Sequence, residues 1–253
     1  MIDLHSHILP GVDDGPMTLD ESLDIARRAA GEGVRVIAAT PHVRDDYPTQ
    51  AETMERLVGE VRAAIQREGI DVDVRPGGEI AIDWLGRLSE SDFERFGLGG
   101  SPRYLLVEFP YAGWPLSLHD WIFRLVTKGV TPVIAHPERN SEVQEQPEQL
   151  RPLVDAGALV QLTAASLDGR IGRSSQEAAK ELLRRGLAHL LASDAHTPDI
   201  REAGLASAAD EVGDPALARW LTWDVPLAVI DGASIPRRPE PKKRRGLRRG
   251  GRR

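Results

Sequence analysis

Seven short apolar runs recur through the first 192 residues, most of them followed by a longer amphipathic stretch, and this alternation restricts the fold more than any other feature. The runs lie near Ile2 to Leu4, Val34 to Thr40, Val72 to Arg75, Tyr104 to Glu108, Thr131 to Ala135, Ala158 to Leu162 and Leu187 to Ala192. Thr18 to Gly31, Ala51 to Glu68, Leu116 to Lys128, Pro147 to Ala156 and Ser174 to Arg185 carry apolar residues at helical spacing instead. Gly31 and Gly33, Gly69, Gly129, Gly157 and Gly186 close these stretches, as expected where a helix ends in a left-handed residue. Thr18, with Glu21 three residues later, fits a capping box. Strand followed by helix, repeated with no compositional break before residue 236, predicts parallel strands in one sheet or barrel. One α/β domain over residues 1–235 is expected, with a separate tail over residues 236–253.

The polar residues at the ends of the runs favour a barrel. His5 and His7 end the first, Thr40-Pro41-His42 follows the second and Gly78-Glu79 the third. Glu108, His136 and Ser193-Asp194-Ala195-His196 follow the fourth, fifth and seventh. In a closed parallel barrel such ends converge on one face, where active sites sit. His5 and His7, two residues apart on an extended chain, point to the same side. His119 falls in a helical stretch and His189 early in the last strand, so both are expected outside the site.

Together with one of Asp13 or Asp14, the candidates are His5, His7, His42, Glu79, Glu108, His136, Asp194 and His196, nine groups in all. A zinc ion takes three or four protein ligands, so nine suit a cluster of two or three ions with bridging carboxylates. Such a cluster would attract a phosphate dianion and lower the pKa of a bridging water. Arg139 and Arg201 stand close enough in sequence to reach the rim, where guanidinium forks match phosphate oxygens, and Arg44 is a third candidate.

Composition narrows the ligand chemistry. With no cysteine, thiolate metal sites and thiol nucleophiles are excluded, and nitrogen and oxygen donors suit Mn, Fe or Zn. No apolar run reaches 18 residues and the start lacks a signal-peptide pattern, so a soluble cytoplasmic protein is expected. Arg237 to Arg253 hold ten Lys/Arg and one Glu, a local +9 against −7 overall, which leaves −16 on the rest. That tail is expected to be disordered, either solubilising or in contact with an anionic membrane face or acidic partner. No aromatic residue is interleaved with its charges, so a nucleic-acid partner is not expected.

His5-x-His7, Val12-Asp13-Asp14-Gly15-Pro16, Thr40-Pro41-His42, Gly78-Glu79, Val107-Glu108, His136-Pro137-Glu138-Arg139 and Ser193-Asp194-Ala195-His196 together resemble the polymerase and histidinol phosphatase (PHP) superfamily. More narrowly, they are similar to its bacterial tyrosine-protein phosphatase branch of capsular and exopolysaccharide synthesis. The resemblance implies a distorted (β/α)7 TIM-like barrel with a cluster of up to three metals, manganese foremost and Fe2+ or Zn2+ as alternatives, at the C-terminal face of the strands. It implies hydrolysis, by metal-activated hydroxide, of phosphotyrosine on a protein, expected to be a bacterial tyrosine kinase. Carried over by motif, His5, His7, Glu79 and Asp194 would hold one metal and Glu79, Glu108 and His136 a second. The acidic pair, His42 and His196 would hold the third, with Asp14 favoured over Asp13, and Arg139 and Arg201 would hold the phosphate. The chain departs from the family at Asp224-Val225-Pro226, where Asn-Pro is usual, and in its basic tail. Two other readings are a phosphatase of small phosphomonoesters such as histidinol phosphate, and a non-catalytic metal-bound regulator of a kinase.

Overall fold

The computed structural model describes residues 1–197 and 204–240. Nine strands run in it: β1 (Ile2–Ser6), β2 (Val36–Ala39), β3 (His42–Val43), β4 (Asp73–Arg75), β5 (Glu79–Ala81), β6 (Tyr104–Glu108), β7 (Thr131–Ile134), β8 (Leu159–Thr163) and β9 (Leu190–Ala192). All ladder pairs are parallel, in the orders β1-β2-β4 and β3-β5-β6-β7-β8-β9. Every residue of β1, β6 and β8 is buried, because helices cover one face and the interior of the curl fills the other.

The division into two ladders has a local cause. Pro41 directly follows the second run and Pro76-Gly77-Gly78 the third, and proline has no N–H to give to a ladder. In chain order β3 follows β2 across Pro41, and β5 follows β4 across Pro76-Gly77-Gly78. Thr40 N–H donates to the Ser6 carbonyl at 2.9 Å, extending the β1-β2 pairing, and Glu79 N–H to the Pro41 carbonyl at 3.0 Å, extending the β3-β5 pairing toward Pro41. At the far edge, Asp194 N–H donates to His5 O at 2.8 Å and His7 N–H to Ala195 O at 2.9 Å. The buried Asp3 carboxylate reinforces this junction by accepting Ser193 N–H at 3.0 Å. The fold is thus mixed α/β around a parallel sheet that curls as a half-barrel or more and brings β9 back beside β1.

The helix Leu19–Gly31 begins at Thr18, and both halves of the capping box with Glu21 are made. Helices Ala51–Arg67, Leu118–Thr127 and Arg173–Arg185 pack Met54 and Val61, Ile122 and Leu125, and Leu182 into the common core. The stretch Pro147 to Ala156, expected as one helix, is a 3-10 turn over Pro147–Leu150 followed by a short helix over Arg151–Asp155. Each piece carries a proline in its first turn, where a missing N–H is tolerated. Residues 205–230, for which the sequence pattern suggested no element, form short helices and a π-helical turn over Trp220–Asp224.

The first residues of the expected tail touch the domain. Trp220 Nε1 donates to the Pro236 carbonyl at 2.9 Å, and Arg238 donates to Leu183 O at 2.8 Å. The rest of the tail, residues 241–253, lies outside the described residues. Among the described residues no helix is long and apolar enough to cross a membrane.

Candidate metal centre

The imidazoles and carboxylates meet where β1 and β6 end, where β3 and β5 begin, and just beyond β7 and β9. Alternation along β1 and just beyond it puts His5 and His7 on one side, with their Nε2 atoms 3.3 Å apart. His42 and Glu79 are direct register partners on β3 and β5, and the Glu79 carboxylate lies 2.8 Å from His42 Nδ1. The same carboxylate is 2.8 Å from His136 Nε2, 3.4 Å from His5 Nε2 and 3.3 Å from His7 Nε2. Asp194 Oδ1 approaches His5 and His7 at 3.3 and 3.5 Å. Asp14 Oδ1 lies 3.5 Å from His42 and 3.4 Å from His196. Glu108 stands at the edge, 3.8 Å from His42 and 3.9 Å from His136.

Polar partners fix these rings. Asp13 Oδ2 meets His7 Nδ1 at 2.7 Å and accepts His42 N–H at 3.0 Å, while its other oxygen accepts Gly15 N–H at 3.0 Å. With both oxygens committed, Asp13 orients the site and leaves Asp14 to face it. The loop that carries the pair lies hard against β1, since a Cβ on Gly15 would overlap the His7 carbonyl oxygen. Gln161 Oε1 lies 3.0 Å from His5 Nδ1 and accepts His136 N–H at 3.1 Å. His136 and Asp194 have φ of 30° and 55°, a left-handed backbone that is uncommon outside glycine and found most often where function holds it.

Arg139 ends the 3-10 turn Pro137–Arg139 directly after His136. Its guanidinium donates to Asp194 Oδ2 at 2.8 Å and stacks 4.5 Å from the centre of the Tyr111 ring. Arg44 reaches Glu108 Oε2 at 3.4 Å.

A profile described as "Capsular polysaccharide synthesis, CpsB/CapC" matches residues 1–216. The chain belongs to the CpsB/CapC family. It is similar to tyrosine-protein phosphatase YwqE of Bacillus subtilis, 35% identical over 253 residues that cover 98% of each chain. It is also similar to tyrosine-protein phosphatase CpsB of Streptococcus pneumoniae, 31% identical over 209 residues, 79% of this chain and 85% of that one. Crystal structures of YwqE and CpsB, described as unique metal-dependent tyrosine phosphatases, include a chain matching this fold with a TM-score of 0.85. Identity there is 33%, with 96% of this chain and 100% of that one covered.

In this CpsB/CapC member, four sets of side chains offer donor atoms that lie within 4.8 Å of one another. They are His7, Asp14, His42 and His196; His5, Glu79 and His136; His5, His7 and Asp194; and His42, Glu79 and Glu108. His5, His7, His42 and Glu79 each belong to two sets, so the sets adjoin as one cluster. His136 groups with His5 here, and Glu108 with His42. The resemblance had placed His136 and Glu108 together.

The electrostatics fit cations. Burial alone would raise the Glu79 carboxyl, yet the surrounding histidines hold it well below its usual range. Burial, and then the Glu79 charge, push Glu108 up. Burial lowers His5, but Glu79 and Asp194 outweigh that and raise it to about 9. Buried His42 Nδ1 and Glu79 Oε2 lack a properly aligned hydrogen-bond partner among the described residues. Closely packed carboxylates, imidazole nitrogens and orphaned buried atoms suit divalent ions bound by nitrogen and oxygen.

Nine of the expected groups therefore gather here along with Asp13 and Arg139, and Arg201 lies outside the described residues. His119 and His189 belong to none of the four sets. Gln161 and Tyr111 are site neighbours that the sequence pattern did not mark. Gln161 sits inside the β8 run, and Tyr111 in a loop with no periodicity.

Proposed function

We propose that this chain is a metal-dependent phosphatase that removes phosphate from tyrosine in a partner protein of capsular or exopolysaccharide synthesis. The observation that carries the reading is the largely buried cluster of five histidines and four carboxylates, open at Asp14 and His196, with Arg139 at its edge. It occurs in a chain whose relatives YwqE and CpsB are tyrosine-protein phosphatases. We read the curled sheet as a distorted seven-stranded (β/α) barrel, counting β2 with β3 and β4 with β5. Residues 1–235 are its catalytic domain and the basic segment beyond is an appendage. Manganese is the ion proposed, with Fe2+ and Zn2+ as the alternatives, and a tyrosine kinase in the cytoplasm is the substrate proposed.

Bound divalent ions would supply neutralising charge and a water acidic enough to act as nucleophile near neutral pH. The chain's own residues do the rest. Glu79, at the centre, would be shared between ions. Asp13 and Gln161 hold His7 and His5 with their Nε2 atoms turned inward. Arg139, free to exchange Asp194 for a phosphoryl oxygen, would orient the substrate, and Arg201 is proposed for the same task. A tyrosine leaving group has a pKa near 10, so its departure asks little of a general acid.

The test loads metal-depleted protein with Mn2+, Fe2+ or Zn2+ and offers a phosphotyrosine peptide beside histidinol phosphate. The peptide should be hydrolysed preferentially, and His136→Ala should lose that activity at least 100-fold. Preference for histidinol phosphate, or an active His136→Ala enzyme, would overturn the reading or the role given to His136.

A further inference from the structure

Next to the metal cluster the surface opens into a cavity of about 550 Å3. Its walls come from the loops that follow β3, β5 and β6, the same end of the sheet as the candidate ligands. Glu108 belongs to both the cavity wall and a candidate metal set, so the cavity borders the cluster. The volume is that of a site for a drug-sized ligand, larger than a phosphate needs.

The two walls differ in chemistry. One is aromatic: Phe109, Tyr111 and Trp114 stand along the loop after β6, with Phe109 and Trp114 edge to face at 5.8 Å. Tyr111 begins this wall beside the cluster, 5.6 Å from the His136 ring and beneath Arg139. The other is acidic: Asp45, Asp46 and Asp83 face the space, and Arg44 is the only basic lining residue among those described. Arg44 is itself engaged by Asp46 and Glu108. Asp45 is held by Arg87 and Trp84, whereas Asp83 is exposed and forms no ion pair among the described residues.

We infer that this cavity is a peptide subsite that holds the residues flanking the phosphotyrosine and selects basic ones. The inference rests on the phosphatase reading above and adds to it a substrate class. An aromatic wall beside the phosphate position suits the tyrosine ring. An excess of carboxylates lining the same cavity attracts lysine or arginine and repels glutamate. The acids are solvent-facing, so each favourable pair is worth only a fraction of a kcal/mol to about 1 kcal/mol, or roughly two- to fivefold in affinity.

The experiment uses the full-length, metal-loaded protein and three phosphotyrosine peptides identical except for two Lys, two Gln or two Glu beside the phosphotyrosine. KM should rise in the order Lys, Gln, Glu, spanning roughly tenfold at low salt, with kcat within twofold and the spread shrinking in high salt. Asp83→Lys should collapse the ratio of kcat/KM between the Lys and Glu peptides, a ratio that does not depend on the amount of active enzyme. The same peptides with a non-hydrolysable phosphonate should bind with Kd in the same order. KM and Kd values indifferent to flanking charge overturn the subsite while leaving the phosphatase reading intact. If the Kd order holds without turnover, the subsite stands and the hydrolytic reading falls.

Discussion

Gln161 decides more about the centre than its neutral side chain suggests. A backbone N–H can only donate, so the atom facing His136 N must be the amide oxygen, and the His5 Nδ1 facing that same oxygen must carry the proton. His5 Nε2 is thereby the nitrogen turned toward Glu79 and Asp194. Replacing Gln161 with Leu keeps the volume but removes the acceptor, stranding two buried donors. A partner that orients a metal ligand in this way is worth about 10–100-fold in metal affinity, and that loss should appear in a chelator-competition titration of Gln161→Leu. Affinity within twofold of the parent protein would show that His5 is oriented by packing alone. The sequence could supply the candidate ligands because strand ends and His-x-His spacing are local signals. It could not supply Gln161, which lies two strands from His5 in the order of the sheet and contacts it only after the curl closes. Local spacing also left Asp13 and Asp14 equivalent. Their roles separate only where the turn at Gly15 presses one carboxylate against His7.

Among the elements, those with strong local grammar were legible. The run Tyr104 to Glu108 is a strand over the same residues, and Thr18 caps its helix as its spacing with Glu21 predicts. Thr18→Ala should cost about 1 kcal/mol in urea unfolding, since the first-turn N–H of Glu21 would lose its acceptor. A change below about 0.3 kcal/mol would mean that water replaces the cap fully. The splitting of two strands by Pro41 and by Pro76-Gly77-Gly78 was less legible. A proline can end a strand or merely interrupt one, and neighbours distant in sequence decide between the two. The helices between residues 205 and 230 left little trace for a similar reason, being too short for a periodic pattern to stand out.

At the scale of the whole molecule, the end opposite the centre has its own sensitivity. His189 Nδ1 accepts the Val160 N–H at 3.1 Å, so the ring must stay neutral to keep that bond. Burial first, then the Arg238 guanidinium, lower its pKa from 6.5 to about 4. As pH falls through this interval the unfolded chain takes up a proton that the folded one refuses. Stability from this group is therefore intact above about 6.5, declines between 6.5 and 4, and changes no further below. At pH 5 the loss should be about 1–2 kcal/mol relative to pH 7, and His189→Gln should flatten that part of the pH dependence in urea denaturation. Parallel curves for the two proteins would locate the acid sensitivity elsewhere. Arg238 ties this end of the molecule to what sequence composition had marked as the start of a free tail. Composition recorded its charge but could not record the carbonyls of Leu183 and Ala188 that it finds.

His136 and Asp194, held at positive φ, set a limit on how this fold can be improved. Glycine adopts that backbone without the crowding of a Cβ, which for other residues costs about 1–2 kcal/mol per position. Heat tolerance and chemistry therefore pull in opposite directions at these two places. A laboratory selection that rewards only survival at high temperature would be drawn to substitute them early. It would return a sturdier fold stripped of two of its candidate ligands.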